Sequence, residues 1–148
     1  MKKYKLTDET IEFHGLTLHR IQALTDFSDI KAGDLGGWIE KESNLSQVDS
    51  AWVYGNAKVH NNARVSDNAR VFDNARVSDN ARVFDNARVF CNARVFNNAR
   101  IFGNAKVYDN AWIYDDAEVF GDARVYCKAE VYDNAKIGGK ASISYFAR

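Results

Sequence analysis

The chain has 148 residues, enough for one domain or for a short domain followed by a repeat array. Its 20 Lys and Arg balance 20 Asp and Glu, and a zero net charge argues against a dedicated nucleic-acid or membrane-surface binder, although a local basic stripe stays open. No apolar run approaches the ~20 residues of a membrane span, the polar residues after Met1-Lys2-Lys3-Tyr4-Lys5 are unlike a secretory signal, and the expectation is a cytoplasmic protein with reduced thiols.

Taken in chain order, Tyr4-Lys-Leu and Ile11-Glu-Phe are short alternations separated by Thr7-Asp8-Glu9. After Gly15 the alternation resumes in Leu16-Thr-Leu-His-Arg-Ile, which predicts a small hairpin or meander. The segment Gly33-Asp-Leu-Gly-Gly-Trp-Ile-Glu reads as turn-rich, leading into an irregular first coil through Leu45 and Val48.

From residue 51 the pattern changes. Ala stands at position 51 and at every sixth residue to Ala147, seventeen times without a slip, and Val or Ile follows two places later at all sixteen positions from Val53 to Ile143. A period of six is wrong for a helix. Within each hexad, Ala and Val share one face of a tiny strand, and the residue between them points the other way. The pairs that follow, such as Gly55-Asn56, Asp67-Asn68 and Gly121-Asp122, are corner residues that tolerate positive φ. Strands this short stand only when equivalent ones stack above and below them. Stacking also places corner Asn residues in hydrogen-bonded ladders. The absence of Pro fits, because every ladder N–H is needed.

An aliphatic residue followed four places later by a small one, as in Val65…Ala69, Val71…Ala75 and Val77…Ala81, resembles the hexapeptide-repeat family. That resemblance implies an all-β, left-handed parallel β-helix with a triangular section and eighteen residues per coil. The period observed in the residues is six. The expected division is therefore residues 1–50 as a β-hairpin cap with an irregular first coil, and residues 51–148 as the solenoid. Lys31-Ala-Gly-Asp-Leu-Gly-Gly-Trp-Ile-Glu and Asn44-Leu-Ser, followed by the repeats, are also similar to small hexapeptide-repeat proteins of phages and prophages. The stretch Ala141-Ser-Ile-Ser-Tyr-Phe-Ala-Arg148 stops in register, which predicts either a self-associating edge, giving a dimer or trimer, or a fraying last coil.

At eighteen residues per coil, outward positions fall into columns. One face carries Tyr54, Phe72, Phe90, Tyr108 and Tyr126 beside Trp52, Arg70, Arg88, Lys106 and Arg124. A second carries His60, Ser78, Phe96, Tyr114 and Tyr132 beside Lys58, Arg76, Arg94, Trp112 and Glu130. The third carries Phe84, Phe102 and Phe120 beside Arg82, Arg100 and Glu118. Exposed aromatics and Arg are the residues that anchor interfaces, whereas stacked rings also stabilise a ladder by ~0.2–1 kcal/mol per pair. The first face is the expected interaction surface and the third is the alternative.

Signals for catalysis are weak. Hexapeptide-repeat acyltransferases take catalytic His and carrier contacts from loops that interrupt the coils and from a C-terminal helix, and nothing interrupts the hexads here. His14 and His19 lie before the repeats, and His60 reads as a solvated face residue. Cys91 and Cys127 fall on one corner column two coils apart, ~9–10 Å at strand spacing, too far for a disulfide. No metal, cofactor or small-molecule substrate is expected. The reading is a non-enzymatic, rigid interaction module that binds a protein, itself, or both. The phage resemblance implies an accessory role such as inhibition of a host defence enzyme. The alternatives are nucleic-acid or nucleotide binding on an Arg/aromatic face, a purely structural virion component, and an acyltransferase.

Overall fold

A computed structural model describes residues 2–144. The expectations for Tyr145 to Arg148, at the end of the last coil, lie outside these residues. The described chain is all β apart from one 3-10 turn at Glu42–Asn44, and none of its helices is long and apolar enough to cross a membrane.

Each hexad forms one strand of two or three residues, and each strand pairs in parallel with the strand eighteen residues away, as in Arg70↔Arg88 and Val71↔Val89. Three sheets result, one on each side of a triangular β-solenoid. Face 1 runs from Trp52–Val53 through Arg70–Val71, Arg88–Val89, Lys106–Val107 and Arg124–Tyr126 to Ser142–Ser144. Face 2 contains Lys58–Val59, Arg76–Val77, Arg94–Val95, Trp112–Ile113 and Glu130–Val131, and face 3 runs from Arg64–Val65 to Lys136–Ile137. The period of six becomes a period of eighteen because three strands and three corners close one coil. Every Ala and every Val or Ile of the hexads from Ala51 to Val131 is buried, at most 2 % exposed. Small Ala alternating with branched Val fills a narrow section that has no room for a larger side chain, and each buried Val contributes roughly 1.5–3 kcal/mol.

The corners differ from expectation in one respect. Positive φ falls on the residue two places before Ala, not on the Asn that usually follows it: Asp67, Asp73, Asp79, Asp85, Cys91, Asn97, Asp109, Asp115, Cys127 and Asp133 all lie between 55° and 60°. Where the preceding coil carries Asp at the same corner position, its carboxylate accepts the N–H of the left-handed residue. Asp67 Oδ2 takes the N–H of Asp85 at 3.1 Å, Asp73 that of Cys91 at 3.2 Å, Asp85 that of Gly103 at 3.0 Å, and Asp109 that of Cys127 at 3.1 Å. The Asn residues form the expected ladders, Asn68→Asn86→Asn104→Asp122 and Asn80→Asn98→Asp116, at 3.2–3.3 Å. In each case the last acceptor is a carboxylate, which needs no further donation of its own.

At the other end, β1 (Tyr4–Phe13) and β2 (Leu16–Ala23) form an antiparallel hairpin, and β2 pairs with β3 (Leu35–Ile39). The predicted break at Thr7-Asp8-Glu9 is a register shift between Leu6 and Thr10 within one continuous strand. Thr7 Oγ1 donates to the Arg20 carbonyl at 2.8 Å there. Gly36-Gly37, read as a turn, lies inside β3. A Cβ at either position would come within 2.6 Å of the Val53 carbonyl oxygen or 2.7 Å of that of Ala57, so only glycine lets β3 lie this close to the first coil. There β3 pairs in parallel with Lys58–Val59 and extends face 2 over the solenoid's open end.

Tyr4 and Lys3 bury polar groups in the cap. Tyr4 Oη donates to the carbonyls of Glu42 and Leu45 at 2.9 and 2.6 Å. Lys3 Nζ donates to those of Asp49 and Ala51 at 2.9 and 2.7 Å, with Asp49 Oδ1 3.8 Å away. Burial pushes the Lys3 pKa down from 10.5 to about 8, and Asp49 opposes part of that shift.

Two expected outcomes follow from this architecture. Asp109→Ala removes the acceptor of the Cys127 N–H and puts alanine at a left-handed φ; thermal melts should show a loss of about 1–3 kcal/mol. Asp109→Asn keeps an acceptor, as Asn97 does for the Asp115 N–H, and should stay within about 0.5 kcal/mol of the parent. For Lys3, the unfolded chain holds the proton to higher pH than the folded one. Stability of the cap should therefore rise from about pH 8 to about pH 10, and Lys3→Met should flatten that rise. Above that range the trend reverses, because burial raises the pKa of Tyr4 and Tyr54 and their ionisation favours the unfolded chain.

Candidate interaction faces

The hexad places one side chain between Ala and Val on the outside of each strand and a second just after Val, at the rim of the face. Outer positions are mostly Arg and rim positions mostly Phe or Tyr, so every face carries a cation column beside a ring column.

On face 1 the rings of Phe72, Phe90, Tyr108 and Tyr126 lie parallel, with centroids 4.7, 4.9 and 5.3 Å apart and planes within 7°. Tyr54 meets Phe72 edge-on at 6.2 Å. The rings are half-buried because each covers the next, and their edges form the outer surface. Face 3 stacks Phe84, Phe102 and Phe120 at 5.0 and 5.2 Å. Face 2 stacks Phe96, Tyr114 and Tyr132 at 5.0 and 5.4 Å, and Tyr114 Oη donates to Glu130 at 3.1 Å.

Two placements correct the sequence reading. Trp52 shares the ladder position of Arg70 but is fully buried, not outward. It lies in the first coil, where the cap covers face 1, with Phe27 edge-on at 5.3 Å and Tyr4 at 6.1 Å. It belongs to the junction of cap and solenoid and drops out of the interaction face. His60, expected to be solvated, is 9 % exposed. Phe13, near the hairpin tip, covers it at 5.5 Å, and its Nδ1 lies 2.7 Å from Asn61 Oδ1. Burial pulls its pKa below the usual imidazole value.

The hairpin also distinguishes the faces, which sequence reasoning missed. Phe13 sits over the cations of face 2, 4.7 Å from the Arg76 guanidinium and 5.2 Å from Lys58 Nζ, and Arg94 stacks on Trp112 at 5.1 Å. Face 2 is therefore partly covered and its cations have aromatic partners. Face 3 mixes charge, since Arg64, Arg82 and Arg100 are followed by Glu118 and Lys136. On face 1 the cations Arg70, Arg88, Lys106 and Arg124 follow one another through four coils. Among the described residues none of these four pairs with a carboxylate within 4.0 Å; Arg70 donates to Ser28 Oγ at 3.1 Å. No signal in the sequence marks Ser28, Asp29 or Phe13, because their contacts depend on where the cap folds back.

A groove of about 670 Å³ opens where the cap loop meets face 1, lined by Asp29, Tyr54, Arg70, Phe72, Arg88 and Cys91 among others. Tyr54 Oη donates to Asp29 at 3.1 Å, and burial pushes its pKa up to about 12. Cys91 and Cys127 are both free thiols on the corner that borders this face. Among the described residues, no three His, Cys, Asp or Glu side chains are grouped to hold a metal ion.

A family model described as the YdcK β-solenoid repeat matches residues 63–79 and 75–89. The solenoid is of the hexapeptide-repeat kind. The chain is similar to a protein of Escherichia coli (strain K12) named "Uncharacterized acetyltransferase YdcK", at 37 % identity over 62 residues, which cover 36 % of this chain and 19 % of that relative. The likeness thus spans about a fifth of the relative's length.

The ring stack and the cation column contribute differently to stability. Phe90→Ala removes a half-buried ring from between Phe72 and Tyr108 and should cost roughly 1–3 kcal/mol. Arg88→Ala, on the exposed outer position, should change stability by no more than about 0.5 kcal/mol. Paired thermal melts check both.

Proposed function

We propose that the protein is a non-catalytic, rigid interaction module that engages a protein partner, or a second copy of itself, through face 1. The observation that carries this reading is the four-coil column of cations, without a salt bridge among the described residues, beside the ring column of Phe72, Phe90, Tyr108 and Tyr126. Like charges stacked directly over one another are unfavourable, and among the described residues no carboxylate lies within 4.0 Å of these four. Aromatic edges beside Arg form the composition that anchors protein interfaces. The resemblance to phage proteins adds a setting, an accessory protein that binds and inhibits a host defence enzyme.

The E. coli relative's name supports a second reading, acetyl transfer. Two features weigh against it. The coils from Ala51 to Ser144 are joined by corners alone, with no inserted loop to build a site. The one solenoid histidine, His60, is covered by Phe13.

Light scattering and affinity capture test the two readings together. The parent protein should either self-associate or retain a defined partner, and Phe90→Asp combined with Arg88→Glu should abolish that while Phe84→Asp on face 3 leaves it intact. Equal behaviour of the two variants would remove face 1 from the account. Saturable acetyl-CoA binding with turnover would favour the acetyltransferase reading.

A further inference from the structure

The spacing along face 1 narrows the partner's chemistry. Successive rings of the column are within 7° of parallel, and its steps are 4.7, 4.9 and 5.3 Å. A ligand matching Arg70, Arg88, Lys106 and Arg124 one to one must present an anion about every 5 Å along a line. An extended peptide repeats its same-side residues at about 6.6 Å. A strand of duplex DNA repeats its charges at about 3.4 Å of axis. An α-helix advances about 5.4 Å per turn, within about 1 Å of every step on this face. Residues at i, i+4, i+7 and i+11 form one stripe on it, with steps of about 6.0, 4.5 and 6.0 Å that average about 5.5 Å.

We propose that face 1 docks an acidic amphipathic α-helix of a partner protein, laid along the solenoid axis. Its stripe of Asp or Glu faces Arg70, Arg88, Lys106 and Arg124, and an adjacent apolar stripe packs on the edges of Phe72, Phe90, Tyr108 and Tyr126. The two columns lie two residues apart along each coil, so they present charge and apolar surface side by side, as such a helix does. Charge complementarity selects this occupant over a second copy in antiparallel orientation, which would set one cation column against another. The proposal rests on face 1 being the contact surface and adds the identity of what it contacts.

The test uses defined probes. A fluorescein-labelled, Ala-based helical peptide carries Glu at i, i+4, i+7 and i+11 with Leu on the neighbouring stripe. A second peptide of the same composition has the order scrambled, and a single-stranded oligonucleotide of matched charge is the third probe. Anisotropy titrations at low and high salt should show the striped helix binding at least about tenfold more tightly than the scrambled peptide, with affinity falling as salt rises. Arg88→Glu with Lys106→Glu should weaken it by about tenfold or more, and Arg82→Glu with Arg100→Glu on face 3 by less than about twofold. Circular dichroism confirms that each variant keeps its fold. Equal binding of the two peptides, or equal losses on both faces, overturns the helix. Tighter binding of the oligonucleotide that depends on Arg88 and Lys106 also overturns it, yet leaves face 1 as a contact surface. Failure of every probe overturns it too; if capture through face 1 persists, only the partner's chemistry was misassigned.

Discussion

The stacking ladder is the constraint on which everything else in this protein depends. Two-residue strands have no stability of their own, so each must find its equivalent eighteen residues away on both sides. That demand requires identical coils, because a coil one residue longer would turn Ala and Val outward in every coil above it. It excludes Pro and limits the interior to Ala, Val and Ile. It also stacks each outward side chain on its counterpart, and this last consequence generates the surface chemistry. Columns of rings, cations and carboxamides are unavoidable once the coils are in register; only their composition is free.

Corners pose the harder backbone problem, and the Asp column solves it. Each corner holds a left-handed residue with an N–H to satisfy. Where the coil below carries Asp, its carboxylate accepts that N–H, and Asp itself tolerates the left-handed conformation. The corner Asp residues, which make up part of the acidic charge that balances the Arg columns, are therefore already engaged in holding the corners. They sit at the edges between faces and do not neutralise the cations at the centre of face 1. A net charge of zero thus coexists with a strongly basic stripe, because the two signs are segregated by structural role.

The cap does more than close an edge. It extends face 2 through β3, buries Trp52 beneath Phe27 and Tyr4, and lays Phe13 across Lys58, Arg76 and His60. Each contact removes surface from use. Face 2 loses its first cations to a ring, and face 1 keeps a clear run from Phe72 onward. Asymmetry between three faces built from the same hexad comes from the cap and from where Glu118, Glu130 and Trp112 interrupt the columns.

Much of this was legible in the residues. A six-residue period with Ala and Val in fixed places specifies strand, corner, interior and columns, because each is a local consequence of alternation and stacking. Membership of a column, such as Phe72 with Phe90 or Asp73 with Cys91, needs only the coil length in addition. Exposure of a particular column member was not legible. Trp52 and His60 occupy the same hexad positions as Arg70 and Ser78, and nothing in their neighbours in sequence indicates burial. Both are covered by side chains from 25 to 50 residues away, in a cap whose placement is set by the close approach of Gly36 and Gly37 to the first coil. The repeat pattern by itself determined the solenoid and what its faces display; only the tertiary structure decided which parts of those faces remain open, because covering them is a long-range contact that no period records.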